Sequence, residues 1–77
     1  MTYYYMIGQI GCTYCDMAKE LIKEKGGVVT YYSLEDSPII KEYVKSKGFR
    51  TVPQIWVDEK HVGGYTELQE YFSNDST

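Results

Sequence analysis

Cys12-Thr13-Tyr14-Cys15 is the segment of this chain whose residue types and spacing point most directly to chemistry. Two thiols so close can join as a disulfide and can exchange that bond with another molecule. They follow a loop, Gly8–Gly11, and open a stretch in which Tyr14, Met17, Ala18, Leu21 and Ile22 recur at the spacing of one helix face. A cysteine at a helix N-terminus meets the positive end of the macrodipole and unpaired N–H groups, and both favour thiolate over thiol. Thiols in such places ionise at roughly pH 3.5–7.5 instead of about 8.5. Cys12, at the exposed first position, is therefore the expected nucleophile. Cys15, one turn further in, is the expected resolving thiol for a mixed disulfide on Cys12. Asp16 suits a helix N-terminus, but its charge opposes the thiolate.

Other uses of two cysteines fit less well. A closed zinc site needs four ligands, usually Cys or His, and beyond the pair only His61 remains. A purely structural bridge across so short a loop contributes only about 2 kcal/mol before strain. A CxxC beside a βαβ pattern is a moderate signal for a redox motif.

Composition narrows the setting. The 77 residues are expected to form one domain, residues 1–77, with a marginal core. A hydrophobic share of 43% suits a packed globule. The net charge of −3, with scattered basic residues, argues against a nucleic-acid binder. No apolar run approaches the roughly 20 residues of a membrane-spanning helix. Met1–Ile7 carries no positive residue and no cleavage pattern, and it resembles a strand rather than a signal peptide. A cytoplasmic monomer is expected, and in a reducing cytosol two cysteines are more often catalytic or metal-binding than structural.

The elements that must position the pair follow from periodicity and punctuation. Tyr3–Ile7 is an aromatic and apolar strand. Lys23, Lys25 and Gly26-Gly27 close the first helix. Val28–Leu34 is a second strand. Ser37-Pro38 starts a second helix, with Ile40, Tyr43 and Val44 on its apolar face and Gly48 at its end. Gln54–Val57 and Lys60–Val62 form a hairpin about Asp58-Glu59. Thr66…Gln69 fits a capping box, placing Leu68, Tyr71 and Phe72 inward, and the polar tail Ser73–Thr77 is expected to fray. The order β-α-β-α-β-β-α implies an α/β fold, with a parallel right-handed βαβ unit extended by an antiparallel hairpin. The expectation is a four-stranded mixed sheet with three helices.

Three segments occur together: Cys12-Thr13-Tyr14-Cys15, Arg50-Thr51-Val52-Pro53-Gln54-Ile55 and His61-Val62-Gly63-Gly64-Tyr65-Thr66-Glu67-Leu68. In that order and spacing the chain resembles the dithiol glutaredoxins, small members of the thioredoxin-like fold, over nearly its full length. The resemblance implies the same β-α-β-α-β-β-α order. It implies that Pro53 is cis and faces Cys12, presenting the Val52 backbone to a substrate as an added strand would. It implies that Gly64, Tyr65 and Thr66 hold the γ-glutamyl carboxylate of glutathione, with Thr66 and Glu67 near its ammonium group. Tyr14 matches an aromatic residue that shields the nucleophile, and Thr51 adjoins the Val52–Pro53 contact. The glycyl carboxylate needs a cation. The family's basic residue before the motif is Gln9 here, which leaves Lys41 and Arg50 to supply the charge. Thr13 replaces a proline common in the family, whose absence also makes room for an iron–sulfur cluster bridged between two chains by glutathione.

The implied activity is reduction of protein disulfides and glutathionylated proteins, with glutathione as reducing co-substrate and no bound cofactor. Two alternatives stand beside it. One is a thioredoxin-like donor recharged by a flavoprotein reductase, with ribonucleotide reductase as a client of either version. The other is an iron–sulfur carrier.

Overall fold

The computed structural model describes residues 1–75, and the structural statements that follow concern these. Four strands and three helices alternate as β1 (Tyr3–Gly8), α1 (Thr13–Glu24), β2 (Val28–Ser33), α2 (Pro38–Ser46), β3 (Gln54–Val57), β4 (Lys60–Gly63) and α3 (Tyr65–Asp75). The sheet order is β2-β1-β3-β4. β1 runs parallel to β2 and antiparallel to β3, and β4 returns antiparallel along β3. The expected architecture is therefore present, with strand ends displaced by a residue.

Strand alternation divides the apolar residues between two faces. Tyr4 and Met6 of β1 and Ile55 and Val57 of β3 turn to one side. There they meet Cys15, Ala18 and Ile22 of α1 and Leu68 and Phe72 of α3 in the buried core. The opposite face carries Tyr3, Tyr5 and Tyr32, all substantially exposed. Trp56 also lies there, paired in register with Tyr5, and its ring is 6.2 Å from Tyr43 and 5.9 Å from Phe49. α2 covers this side without burying any residue of its own.

The first two helices end in the same way. Beyond α1, the Gly26 N–H donates to the Lys23 carbonyl and the Gly27 N–H to the Ile22 carbonyl. Beyond α2, Gly48 bonds Lys45 and Phe49 bonds Val44. These paired bonds need a left-handed residue after the cap, and Gly26 (φ 79°) and Gly48 (φ 73°) supply it. Phe49 also sets its ring 6.5 Å from that of Tyr43, six residues back.

α3 differs from the expectation at both ends. It starts at Tyr65, with the Leu68 N–H donating to the Gly64 carbonyl. The capping residue is thus Gly64, and the third helical residue is Glu67, whose carboxylate accepts the Gly64 N–H at 2.7 Å. The Thr66…Gln69 pair resembles a capping box but lies two residues too late. At the far end the helix continues through Ser73 and Asn74 to Asp75, past the point where the tail was expected to fray. Ser73 and Asn74 stay exposed, so a polar side chain there does not end the helix. Residues 76–77 lie outside the described residues.

Candidate active site

Cys12 caps α1. Its backbone is extended (φ −85°, ψ 102°), and its Sγ accepts the Cys15 N–H at 3.1 Å. The two sulfurs are joined as a disulfide, with Cα atoms 5.2 Å apart. Their surroundings differ. Cys12 is half-buried at the helix start, whereas Cys15 is 1% exposed and belongs to the core. An incoming sulfur can therefore reach Cys12 and not Cys15. When the bond opens, the charge on Cys12 faces the Cys15 N–H and the positive helix end, which favours thiolate at that position. Asp16 points outward, with a side chain 78% exposed, and pairs with Lys19 at 3.5 Å. Its repulsion of the thiolate is thereby reduced.

The loop before Cys12 is held from the β2 side. Gly8 O accepts the Leu34 N–H at 2.8 Å, and Gln9 O accepts the Cys12 N–H at 3.3 Å. The Tyr31 hydroxyl reaches Gln9 O at 3.5 Å, and the Ile10 N–H donates to the Glu35 carboxylate at 3.1 Å. The Ser33 hydroxyl donates to the same carboxylate oxygen. The bond from Ser33, then that from Ile10 and the nearby charge of Lys41, hold Glu35 below the usual carboxylate range. Burial, reinforced by Asp16, Glu35 and Asp36, pushes the Tyr31 phenol upward. Lys19 sits over the Tyr31 ring at 4.1 Å. A Cβ on Gly8 would lie 2.6 Å from the Tyr31 hydroxyl and 2.7 Å from Cys15 Sγ. Gly8 thus leaves the space that this hydroxyl and the buried sulfur share. Gly8, Lys19, Tyr31 and Glu35 escaped the sequence reading. Only Gly8, between a strand and a loop, carried any local signal.

Opposite the motif, the Val52–Pro53 bond is cis and Pro53 is buried. Two cavities flank Thr51-Val52. One, of about 310 Å³, brings together Gln9, Arg50, Thr51 and Val52 against an apolar wall of Leu34, Val44 and Phe49. The other, of about 280 Å³, brings together Tyr14, Thr51, Val52, Pro53, Gly64, Tyr65, Thr66 and Glu67. The Tyr14 and Tyr65 rings approach to 5.8 Å across it. Of the residues expected around glutathione, only Lys41 lines neither cavity, and its charge acts on Glu35. Among the described residues, no three His, Cys, Asp or Glu side chains gather as they would around a metal ion. No helix there is long and apolar enough to cross a membrane.

The glutaredoxin family model matches residues 2–62, which include the cysteine pair, the cis-proline segment and all but the last residue of the hairpin. The chain belongs to the glutaredoxin family. It is 40% identical over 58 residues to a glutaredoxin of Pseudomonas aeruginosa, covering 74% of this chain and 69% of that one. It is 37% identical over 71 residues to glutaredoxin 1 of Escherichia coli, covering 82% and 84%. Solved glutaredoxins share the thioredoxin-like fold. Glutaredoxin 1 from Francisella tularensis, in complex with cacodylate, superposes with a TM-score of 0.82 at 24% identity over 99% of this chain and 98% of that one. The buckwheat glutaredoxin–glutathione complex superposes with a TM-score of 0.80 at 23% identity, covering 96% and 71%. A glutaredoxin with a half-buried, helix-capping Cys12 and a fully buried Cys15 is a thiol–disulfide oxidoreductase.

Proposed function

We propose that this glutaredoxin draws its electrons from glutathione and reduces glutathionylated proteins and protein disulfides. The observation that carries the reading is the pair of cavities on either side of Thr51-Val52. Gln9 and Tyr14, which lie on either side of Cys12 in the chain, line one cavity each. A tripeptide laid across Thr51-Val52 would set its central sulfur near Cys12 and one carboxylate in each cavity. In the second cavity the backbone at the start of α3 receives the γ-glutamyl carboxylate. Glu67 already occupies the Gly64 N–H, so its charge is better suited to the ammonium group, together with Thr66. In the first cavity Arg50 is the only charged lining residue and Gln9 donates a neutral hydrogen bond.

The reaction then follows from the asymmetry of the sulfurs. The Cys12 thiolate attacks the glutathione sulfur of a mixed disulfide. The protein sulfur leaves as a thiolate and takes up a proton. A second glutathione thiolate attacks the Cys12-bound sulfur, releasing oxidised glutathione and restoring Cys12. With a protein disulfide, Cys12 forms the mixed disulfide and the Cys15 thiolate displaces it, closing the intramolecular bond. Potentials of roughly −200 to −230 mV, usual for glutaredoxins, allow exchange with a glutathione pool. One chain carries both sulfurs and both cavities, so the reading requires a monomer only, in a glutathione-rich compartment such as the cytoplasm.

Cys12→Ser is expected to reduce turnover to background with every disulfide. Cys15→Ser is expected to keep glutathione-mixed-disulfide reduction and lose protein-disulfide reduction. Titration of the Cys15→Ser variant with glutathione should move the amides of Tyr14, Val52 and Tyr65; no movement at millimolar ligand would sink the glutathione reading. The lack of a cation at Gln9 favours a second reading, a protein-disulfide donor recharged by a flavoprotein reductase, for example to ribonucleotide reductase. Turnover coupled to thioredoxin reductase and not to glutathione would establish that one.

A further inference from the structure

We propose that His61 is a positioning residue for the Thr51–Val52 peptide, acting through the buried amide of Gln54. The proposal rests on the reading that the Val52 backbone meets the substrate. Gln54 opens β3 on the face away from the core and is 7% exposed. Its Nε2 donates to the Thr51 carbonyl at 2.9 Å and approaches Thr51 Oγ1 at 3.5 Å. A carbonyl only accepts, so this contact identifies the NH₂ end of the amide. The other end, Oε1, lies 2.8 Å from His61 Nε2. An amide oxygen also only accepts, so Nε2 of His61 must carry a hydrogen. Neutral imidazole meets this by holding its proton on Nε2, and imidazolium meets it as well. The bond therefore survives protonation of the ring.

His61 is exposed, and three contacts hold its ring in this position. His61 lies on β4 opposite Trp56, with ring centroids 5.0 Å apart. Phe49 stacks on it at 5.0 Å and 24°. Two aromatic contacts and one hydrogen bond thus set where Nε2 points. Without that donor, Gln54 would keep a buried, unpaired oxygen, and rotating its amide to find another partner would release the Thr51 carbonyl.

What Gln54 holds matters for the site. The peptide between Thr51 and Val52 is trans, so its C=O and N–H point in opposite directions in one plane. Drawing the Thr51 carbonyl toward buried Gln54 turns the Val52 N–H the other way. Thr51 and Val52 line both cavities, so the orientation of this one peptide sets the backbone donor offered to a bound substrate. His61 touches neither cavity; its effect passes through Gln54.

The test begins with the unaltered protein. The ¹⁵N spectrum of neutral His61 should show the hydrogen on Nε2; a hydrogen on Nδ1 overturns the proposal. His61→Phe keeps the ring between Phe49 and Trp56 and removes the donor. It should shift the Val52 amide, raise KM for a glutathionylated peptide several-fold, and leave kcat and the pH profile of Cys12 alkylation unchanged. His61→Gln places a donor at similar reach and should return KM toward the original value. An unchanged Val52 amide and KM in His61→Phe, or equal losses in the Phe and Gln variants, overturn the proposal. The spectra are read without substrate. If the unaltered protein ignores glutathionylated peptide, the glutathione reading fails and KM for a protein disulfide takes its place in the same comparison.

Discussion

The two faces of the sheet are covered in opposite manners. Toward α1 and α3, Met6, Ala18, Ile22, Ile55 and Leu68 are wholly buried, and Cys15 belongs to that same packing. Toward α2, no helical residue is buried, and the contacts are spaced aromatic rings: Tyr43, Phe49, Trp56 and His61. The dry face anchors the sulfur that must stay in place. The looser face leaves room, because Val44 of α2 and Phe49 just after it form part of the wall of the cavity that holds Gln9 and Arg50. The buried sulfur and the cavity that holds Gln9 and Arg50 thus lie on different sides of one small sheet, with the motif at the edge between them.

Core truncation tests this division most severely. Leu68→Ala removes a fully buried side chain and should cost about 2–5 kcal/mol in denaturant unfolding. Val44→Ala, on half-buried α2, should cost about 1 kcal/mol or less. Equal losses would mean that α2 is as firmly packed as α1 and α3. Gly8→Ala probes the edge between the faces. Its new methyl would press on the Tyr31 hydroxyl and Cys15 Sγ, and overpacking of this kind should cost about 1–3 kcal/mol. Tyr31→Phe in the same chain should recover part of that loss.

The smallest expected effect lies in the loop before Cys12. Glu35 titrates below its ordinary value in the folded chain. The unfolded chain therefore binds this proton first as pH falls. The stabilisation is complete above the ordinary carboxylate range and is lost as pH drops through the folded value. Exchange of the Ile10 amide should accelerate across that acid window, and Glu35→Gln should flatten the dependence. Lys41 and Asp36 lie in the same neighbourhood and stay unchanged in that variant.

The elements were legible because each has a local cause. An aromatic and apolar run marked β1, Gly26 and Gly48 marked helix ends, and Ser37-Pro38 marked a start. The start of α3 was misread because two patterns compete there. Thr66…Gln69 satisfies the capping rule in sequence, yet Gly64 and Glu67 satisfy it in space. The cysteines, Pro53 and the Gly64–Glu67 turn were visible as motifs. Lys19, Tyr31 and Glu35 were not, since their roles depend on β2 and its following loop lying beside α1 and residues 8–11. Lys41 illustrates the converse: its position suggested a ligand contact, yet it lines neither cavity beside Thr51-Val52.

The burial of Cys15 also governs how long a client stays attached. One turn from Cys12 and fixed in the core, this thiol attacks from a standing position, and well-oriented intramolecular groups reach effective molarities of about 10⁵ M or more. On the proposed function, a covalent complex with a protein disulfide is expected to be brief in the unaltered chain. Replacing Cys15 with serine would stretch its lifetime enough for the attached protein to be isolated and identified.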